Sequence, residues 1–129
     1  MDHLAALQHL NRRLARPGDT FMDIIARKGF VVAMGVTSAL DARLALMAKA
    51  AIEAEGGTCT FDAIYAGGWS FAASRAYPDM GFLDRRIMAD HMDNVVRAAH
   101  PLPVVGDAET GYGDPKAITL TVRVYAQAG

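Results

Sequence analysis

Three short apolar runs constrain the fold more than any other feature of this 129-residue chain. Phe30-Val31-Val32-Ala33-Met34, Phe61-Asp62-Ala63-Ile64-Tyr65 and Pro103-Val104-Val105-Gly106 lack the polar alternation of strands with one wet face. They read as strands buried on both faces, and such strands belong to a parallel sheet covered by helices. A helical pattern follows each run. After the first, Ser38 and Asp41 form an Asp variant of the capping box and open a helix through Leu40, Leu44 and Met47 to Gly56-Gly57. After the second, Gly67-Gly68 stops the strand and a loop carries Pro78-Asp79. A helix then places Ile87, Met88, His91, Met92, Val95, Val96 and Ala99 on one face and ends before Pro101. After the third run, Asp114 caps and Pro115 begins a helix with Ile118, Val122 and Tyr125 on one face. An open doubly wound sheet and a closed eight-stranded barrel both satisfy this order, and periodicity alone does not choose between them.

Ahead of these units, Leu4, Leu7, Leu10 and Leu14 recur at helical spacing and predict an amphipathic accessory helix that Pro17-Gly18 terminates. At the other end the sequence stops at Gly129, where a C-cap glycine would hand over to a next strand. The expectation is therefore a single incomplete domain. Residues 1–29 supply the N-terminal helix and connection, and residues 30–129 the first three strand-helix units. Disorder is excluded by 52% hydrophobic and 21% charged residues. Thirteen basic against 14 acidic residues leave a net charge of −1, so neither nucleic acid nor a membrane surface is an expected partner. No segment approaches the ~20 apolar residues of a membrane span. With one cysteine, Cys59, and no leader-like N-terminus, a cytoplasmic protein is expected.

Both parallel architectures gather strand C-termini, and with them ligands and catalysis, on one face. Asp107 and Glu109 follow the third strand two residues apart, so an extended backbone projects both carboxylates the same way, as Mg²⁺ or Mn²⁺ require. Asp79 can add a third oxygen donor, directly or through water. Zinc fits less well, because no close His/Cys set accompanies these acids. The plainer reading of Asp-x-Glu before a turn is solvated loop charge with a capping Asp, and the spacing does not discard it. Gly106, Gly111 and Gly113 favour the metal reading by permitting close backbone approach. Gly67-Gly68 can present amides to an oxyanion or simply make a tight turn. Trp69 can line a pocket or pack the rim. A dinucleotide fingerprint is excluded, since Lys116 stands where the third glycine would be. His91 reads as a packing residue on its helix.

Taken together these residues resemble the isocitrate lyase and phosphoenolpyruvate mutase superfamily, from about Val31 to Gly129. Asp107-Ala108-Glu109-Thr110-Gly111-Tyr112-Gly113 is similar to its metal motif Asp-Ala-Asp/Glu-x-Gly-Phe/Tyr-Gly. Supporting elements arrive in order: Ala39-Leu40-Asp41-Ala42-Arg43-Leu44-Ala45, Tyr65-Ala66-Gly67-Gly68-Trp69 and Tyr77-Pro78-Asp79. The resemblance implies the N-terminal part of a (β/α)8 barrel that binds Mg²⁺ or Mn²⁺ and makes or cleaves a C–C or P–C bond in small 2-oxo or hydroxy carboxylates. It makes Asp107 the principal metal ligand, with Glu109 and Asp79 reaching the ion directly or through water. Tyr65, Gly67, Gly68 and Trp69 become the substrate-binding set.

Glu109 with Gly68-Trp69 leans toward the isocitrate lyase branch; a mutase or an oxaloacetate or phosphonopyruvate hydrolase is the alternative. The family's usual tetramers imply a homo-oligomer. This chain departs from the pattern in having Gly67 where the family usually has Ser, and Thr37-Ser38 where many members have an aromatic residue and Asp. The family's Lys-Lys/Arg-Cys-Gly-His acid/base loop would lie beyond residue 129, and Cys59, ahead of the second strand, is no substitute. An inactive fragment is thus the expectation for these residues alone, and a non-catalytic truncated product with open sheet edges is the alternative.

Overall fold

The computed structural model describes residues 19–58 and 61–128. The expected Leu4–Leu14 helix, Cys59 and the Gly129 cap lie outside the described residues. The elements run α1 (Phe21–Lys28), β1 (Ala33–Val36), α2 (Ala39–Ala54), β2 (Ala63–Ala66), α3 (Gly68–Ser74), α4 (Arg85–Ala99), β3 (Val104–Gly106) and α5 (Pro115–Ala128). The strands form one parallel sheet in the order β1-β2-β3. Met34 pairs with Ile64, and Ile64 with Val104, so the three strands end level with one another.

The stretch before β1, read from sequence as a connection, contains helix α1. Thr20 and Asp23 cap it reciprocally, the Thr20 hydroxyl accepting from the Asp23 amide and the Asp23 carboxylate accepting from the Thr20 amide. Gly29, at φ +82°, closes it in the left-handed conformation that glycine adopts without strain. Ile24 is fully buried, and Lys28 at the last turn reaches the buried Asp62 at 2.5 Å. Asp62 also accepts the Val32 amide at 2.9 Å. That ion pair accounts for a carboxylate within an otherwise apolar run: it ties α1 to the entry of β2.

Each strand lies toward the C-terminal side of its apolar run, and only β2 is buried as expected of a strand covered on both faces. Strands β1 and β3 have one neighbour each, so most of β1 is exposed and β3 only part-covered. One face of the sheet carries Val36, Ile64, Ala66 and Val104, packed under Ala42 and Ala45 of α2 and Met92, Val95 and Ala99 of α4. Helix α2 therefore buries its alanines, and the expected Leu40, Leu44 and Met47 face points outward, with exposures of 67%, 53% and 61%. The short residues let α2 approach α4 and the sheet closely, which leucines on that face would prevent.

The Ser38 cap is as read, although Asp41 turns its carboxylate to the Thr37 amide and the Ser38 hydroxyl. In α4 the expected face is buried at Met88, His91, Met92, Val95 and Ala99, while Ile87 and Val96 are only part-covered or exposed. In α5, Asp114 caps through the Lys116 and Ala117 amides, but Thr121 is the inward residue and Val122 faces out. The loop expected after β2 begins with α3. Among the described residues no helix is long and apolar enough to cross a membrane.

His91 packs as expected, 6% exposed, its ring stacked on Phe71 with centroids 3.7 Å apart and its Nε2 without a hydrogen-bond partner among the described residues. Burial, with Arg75 adding a smaller effect, holds the imidazole below its ordinary value of 6.5. The folded protein thus binds this proton less readily than the unfolded chain. Stability is fully present above pH 6.5 and declines as pH falls toward the depressed folded value. Urea unfolding on both sides of that pH should show the decline in the wild type and a weaker one in His91→Phe. Equal pH slopes for the two proteins would refute the assignment.

Candidate metal centre

The site lies where the three strands end. Side chains alternate across a sheet, and the register pairs Tyr65 with Val105, so Asp107, two residues beyond Val105, emerges on the Tyr65 side. That is the face away from α2 and α4. The Asp107 amide donates to Ala66 O at 3.2 Å, which continues the β2–β3 pairing just past the strand end and places the side chain.

Asp107 is held from three directions. Its Oδ2 accepts the Tyr65 hydroxyl at 3.3 Å and the Gly68 amide at 3.2 Å, and its Oδ1 accepts the Glu109 amide at 2.9 Å. Glu109 then turns back over the same point. A Cβ built on Gly68 would stand 2.7 Å from Glu109 Oε1 and 2.9 Å from Asp107 Oδ2. Only a residue without a side chain leaves room for both carboxylates there. Glu109 achieves this at φ +51°, a left-handed conformation that costs a non-glycine residue ~1–3 kcal/mol and is concentrated at functional sites. Gly111 and Tyr112 follow at φ +86° and +64°.

The electrostatics are one-sided. Burial, then the Asp107 and Asp79 charges, push the Glu109 carboxyl above its ordinary value. Burial first, then Asp107, push the Tyr65 hydroxyl up, so it stays a donor. Tyr112 and Tyr125 hydroxyls are pushed up as well, chiefly by burial. Among the described residues no salt bridge reaches Asp79, Asp107 or Glu109. Carboxylates crowded together without a protein cation form a donor set that suits a hard dication retaining most of its water. The residues therefore fit Mg²⁺ or Mn²⁺ through Asp107 and Glu109.

The sequence-derived set is only partly brought together. Asp107 and Glu109 share a point, and Tyr65 and Gly68 both bind Asp107. The Gly68 amide is thus engaged by the protein's own carboxylate instead of standing free for a substrate oxygen. Asp79 is exposed on the loop after α3; its charge reaches Glu109 and Tyr65, yet among the described residues no three His, Cys, Asp or Glu side chains are arranged to share one ion. A cavity of about 170 Å³ next to Tyr65 is lined by Gly35, Thr37, Tyr65, Gly67, Trp69 and Ser70 and by none of the three acids. Larger clefts of about 680 Å³ between α2, α3 and α4 and about 580 Å³ beside α2 hold none of the three acids. The candidate site is therefore defined by its converging carboxylates and not by a cavity. Sequence reasoning missed Tyr125, whose hydroxyl donates to the Asp107 carbonyl at 3.0 Å, because helical spacing marks it only as an inward residue.

Residues 21–129 match the family model for phosphoenolpyruvate phosphomutase. The chain belongs to that family. The 2,3-dimethylmalate lyase of Eubacterium barkeri is 33% identical over 108 residues, covering 83% of this chain and 33% of the relative. The 2-methylisocitrate lyase of Aeropyrum pernix is 33% identical over 116 residues, covering 90% and 34%. The chain thus spans about a third of the length of these relatives. The crystal structure of a 2,3-dimethylmalate lyase, a member of the PEP mutase/isocitrate lyase superfamily, superposes with a TM-score of 0.65 at 28% identity, over 97% of this chain and 36% of that one. A phosphonopyruvate hydrolase in complex with oxalate and Mg²⁺ superposes at 0.64 and 26% identity, over 78% and 31%. The parallel sheet and its helices are therefore the N-terminal strand-helix units of this superfamily's barrel, which decides between the two architectures the periodicity left open.

Proposed function

We propose that this chain carries the metal- and carboxylate-binding part of a lyase that cleaves a C–C bond in small hydroxy carboxylates and releases a 2-oxo acid. The observation that carries the reading is the convergence of Asp107 and Glu109 over Gly68 with no salt bridge to either among the described residues. The lyase activities named for the two relatives favour C–C over P–C chemistry. Bound Mg²⁺ would supply Lewis-acid stabilisation of the negative oxygen that develops as the bond breaks.

The protein's own residues have separate tasks. Asp107 and Glu109 hold the ion, and Asp79 adds negative charge at longer range. Tyr65 and Gly68 donate to Asp107 and fix its orientation, the outer-partner role that tunes a metal ligand. Gly67, Trp69 and the cavity next to Tyr65 would receive the substrate. The tasks assigned to these residues are metal and carboxylate binding. The outward apolar residues of α2 support self-association.

Calorimetric titration tests the reading with oxalate as a 2-oxo acid mimic. Oxalate should bind in the presence of Mg²⁺ and not in its absence. Failure of the chain to take up Mg²⁺ or Mn²⁺, or oxalate uptake indifferent to the ion, would sink it.

A further inference from the structure

The loop that carries the two carboxylates is touched at both ends by one helix. Tyr125 Oη donates to the Asp107 carbonyl at 3.0 Å, and Thr121 Oγ1 lies 2.9 Å from the Gly111 carbonyl. Positions four apart share a helix face, so α5 presents the two hydroxyls side by side to the two ends of the loop. The span needs such support. Within it, Glu109 and Gly111 both have left-handed φ angles, and its internal bonds are Glu109 N–H to Asp107 Oδ1 at 2.9 Å and Gly111 N–H to Ala108 O at 2.8 Å. Conformations of this kind persist only where the surroundings over-determine them.

Ordinary helix chemistry explains Thr121 in part, since its hydroxyl is also 2.9 Å from the Ala117 carbonyl, the usual bond back to the preceding turn. It does not explain why the residue is 2% exposed and its hydroxyl equally close to a carbonyl outside the helix. Tyr125 is backed in turn by Tyr112, whose hydroxyl lies 3.4 Å away and whose backbone leaves the loop. We infer that Thr121 and Tyr125 are positioning residues, a two-point hydroxyl clamp by which α5 sets the backbone of Asp107–Gly111 and so the direction of both carboxylates.

The inference rests on the metal reading above, and two measurements on the 129-residue chain keep their failures apart. In metal-free protein, amide hydrogen exchange at Glu109 and Gly111 should accelerate about tenfold in Thr121→Val and in Tyr125→Phe, while the β2 amides keep their wild-type protection. Mn²⁺ affinity should fall about tenfold in each, the lower end of the effect of outer partners on a metal site, and Thr121→Ser should restore both values. Unchanged loop exchange, acceleration shared equally by β2, or a loop that opens with Mn²⁺ affinity intact would each overturn the clamp. Mn²⁺ binding that is absent from the wild type or equal in Asp107→Ala would remove the metal reading instead, and the exchange pattern would still decide the clamp. Tyr125→Phe carries the test should Thr121→Val fail to fold.

Discussion

Asp107→Ala should bind Mn²⁺ at least about 100-fold more weakly than the wild type, because even outer partners of a metal ligand are worth about 10–100-fold and Asp107 is a ligand itself. The substitution removes a carboxylate and also three acceptor contacts, to Tyr65, Gly68 and the Glu109 amide. Loss of those contacts alone would loosen the loop without removing charge. Asp107→Asn is the milder change, since its one carbonyl oxygen can still accept either the Tyr65 and Gly68 pair or the Glu109 amide while the negative charge is gone. Both variants should lose most of the affinity if charge is decisive. Electron paramagnetic resonance of free Mn²⁺ during titration measures this directly, and equal affinity in wild type and Asp107→Ala would refute the site.

Gly68→Ala is the second large effect, and its sign pattern is diagnostic. The added Cβ would lie 2.7 Å from Glu109 Oε1, 2.9 Å from Asp107 Oδ2 and 3.1 Å from Asp107 Cγ, closer than real Cβ atoms come for the first two. Something must shift, and the atoms in the way are the donors themselves. Mn²⁺ affinity should therefore fall by about 10–100-fold. Alanine is also the better helix former, by up to ~1 kcal/mol, and position 68 opens α3. Thermal stability should thus hold while ion binding fails. A variant that binds Mn²⁺ normally would show that the carboxylates do not need the space glycine leaves. One that unfolds would show that Gly68 serves the fold and not the site.

Much of this was legible in the sequence because it is local. The Asp114 cap and the inward face of α4 each depend on residues within a few positions of one another, so local pattern reports them. The inner face of α2 was not legible. Its Leu40-Leu44-Met47 stripe and its Ala42-Ala45 stripe are both apolar, and only the distance to α4 and the sheet selects the smaller residues. Helices α1 and α3 are short and gain little from propensity, so packing decides whether they form. Asp62 finds Lys28 34 residues away, a pairing no local pattern encodes.

The candidate site divides in the same way. The sequence by itself determined that three strand-helix units would carry Asp107 to the end of a strand, while the extended spacing expected to aim Glu109 the same way gives place to a left-handed turn at φ +51°. Only the tertiary structure decided which groups meet them there. It brought Tyr65 and Gly68 onto Asp107 across the β2–β3 pairing, left Asp79 acting through charge at a distance, and aligned Thr121 and Tyr125 of α5 under the loop. Contacts between residues 10 to 42 positions apart follow from strand register and helix docking, which are settled by burial of the whole sheet and not by any short stretch of chain.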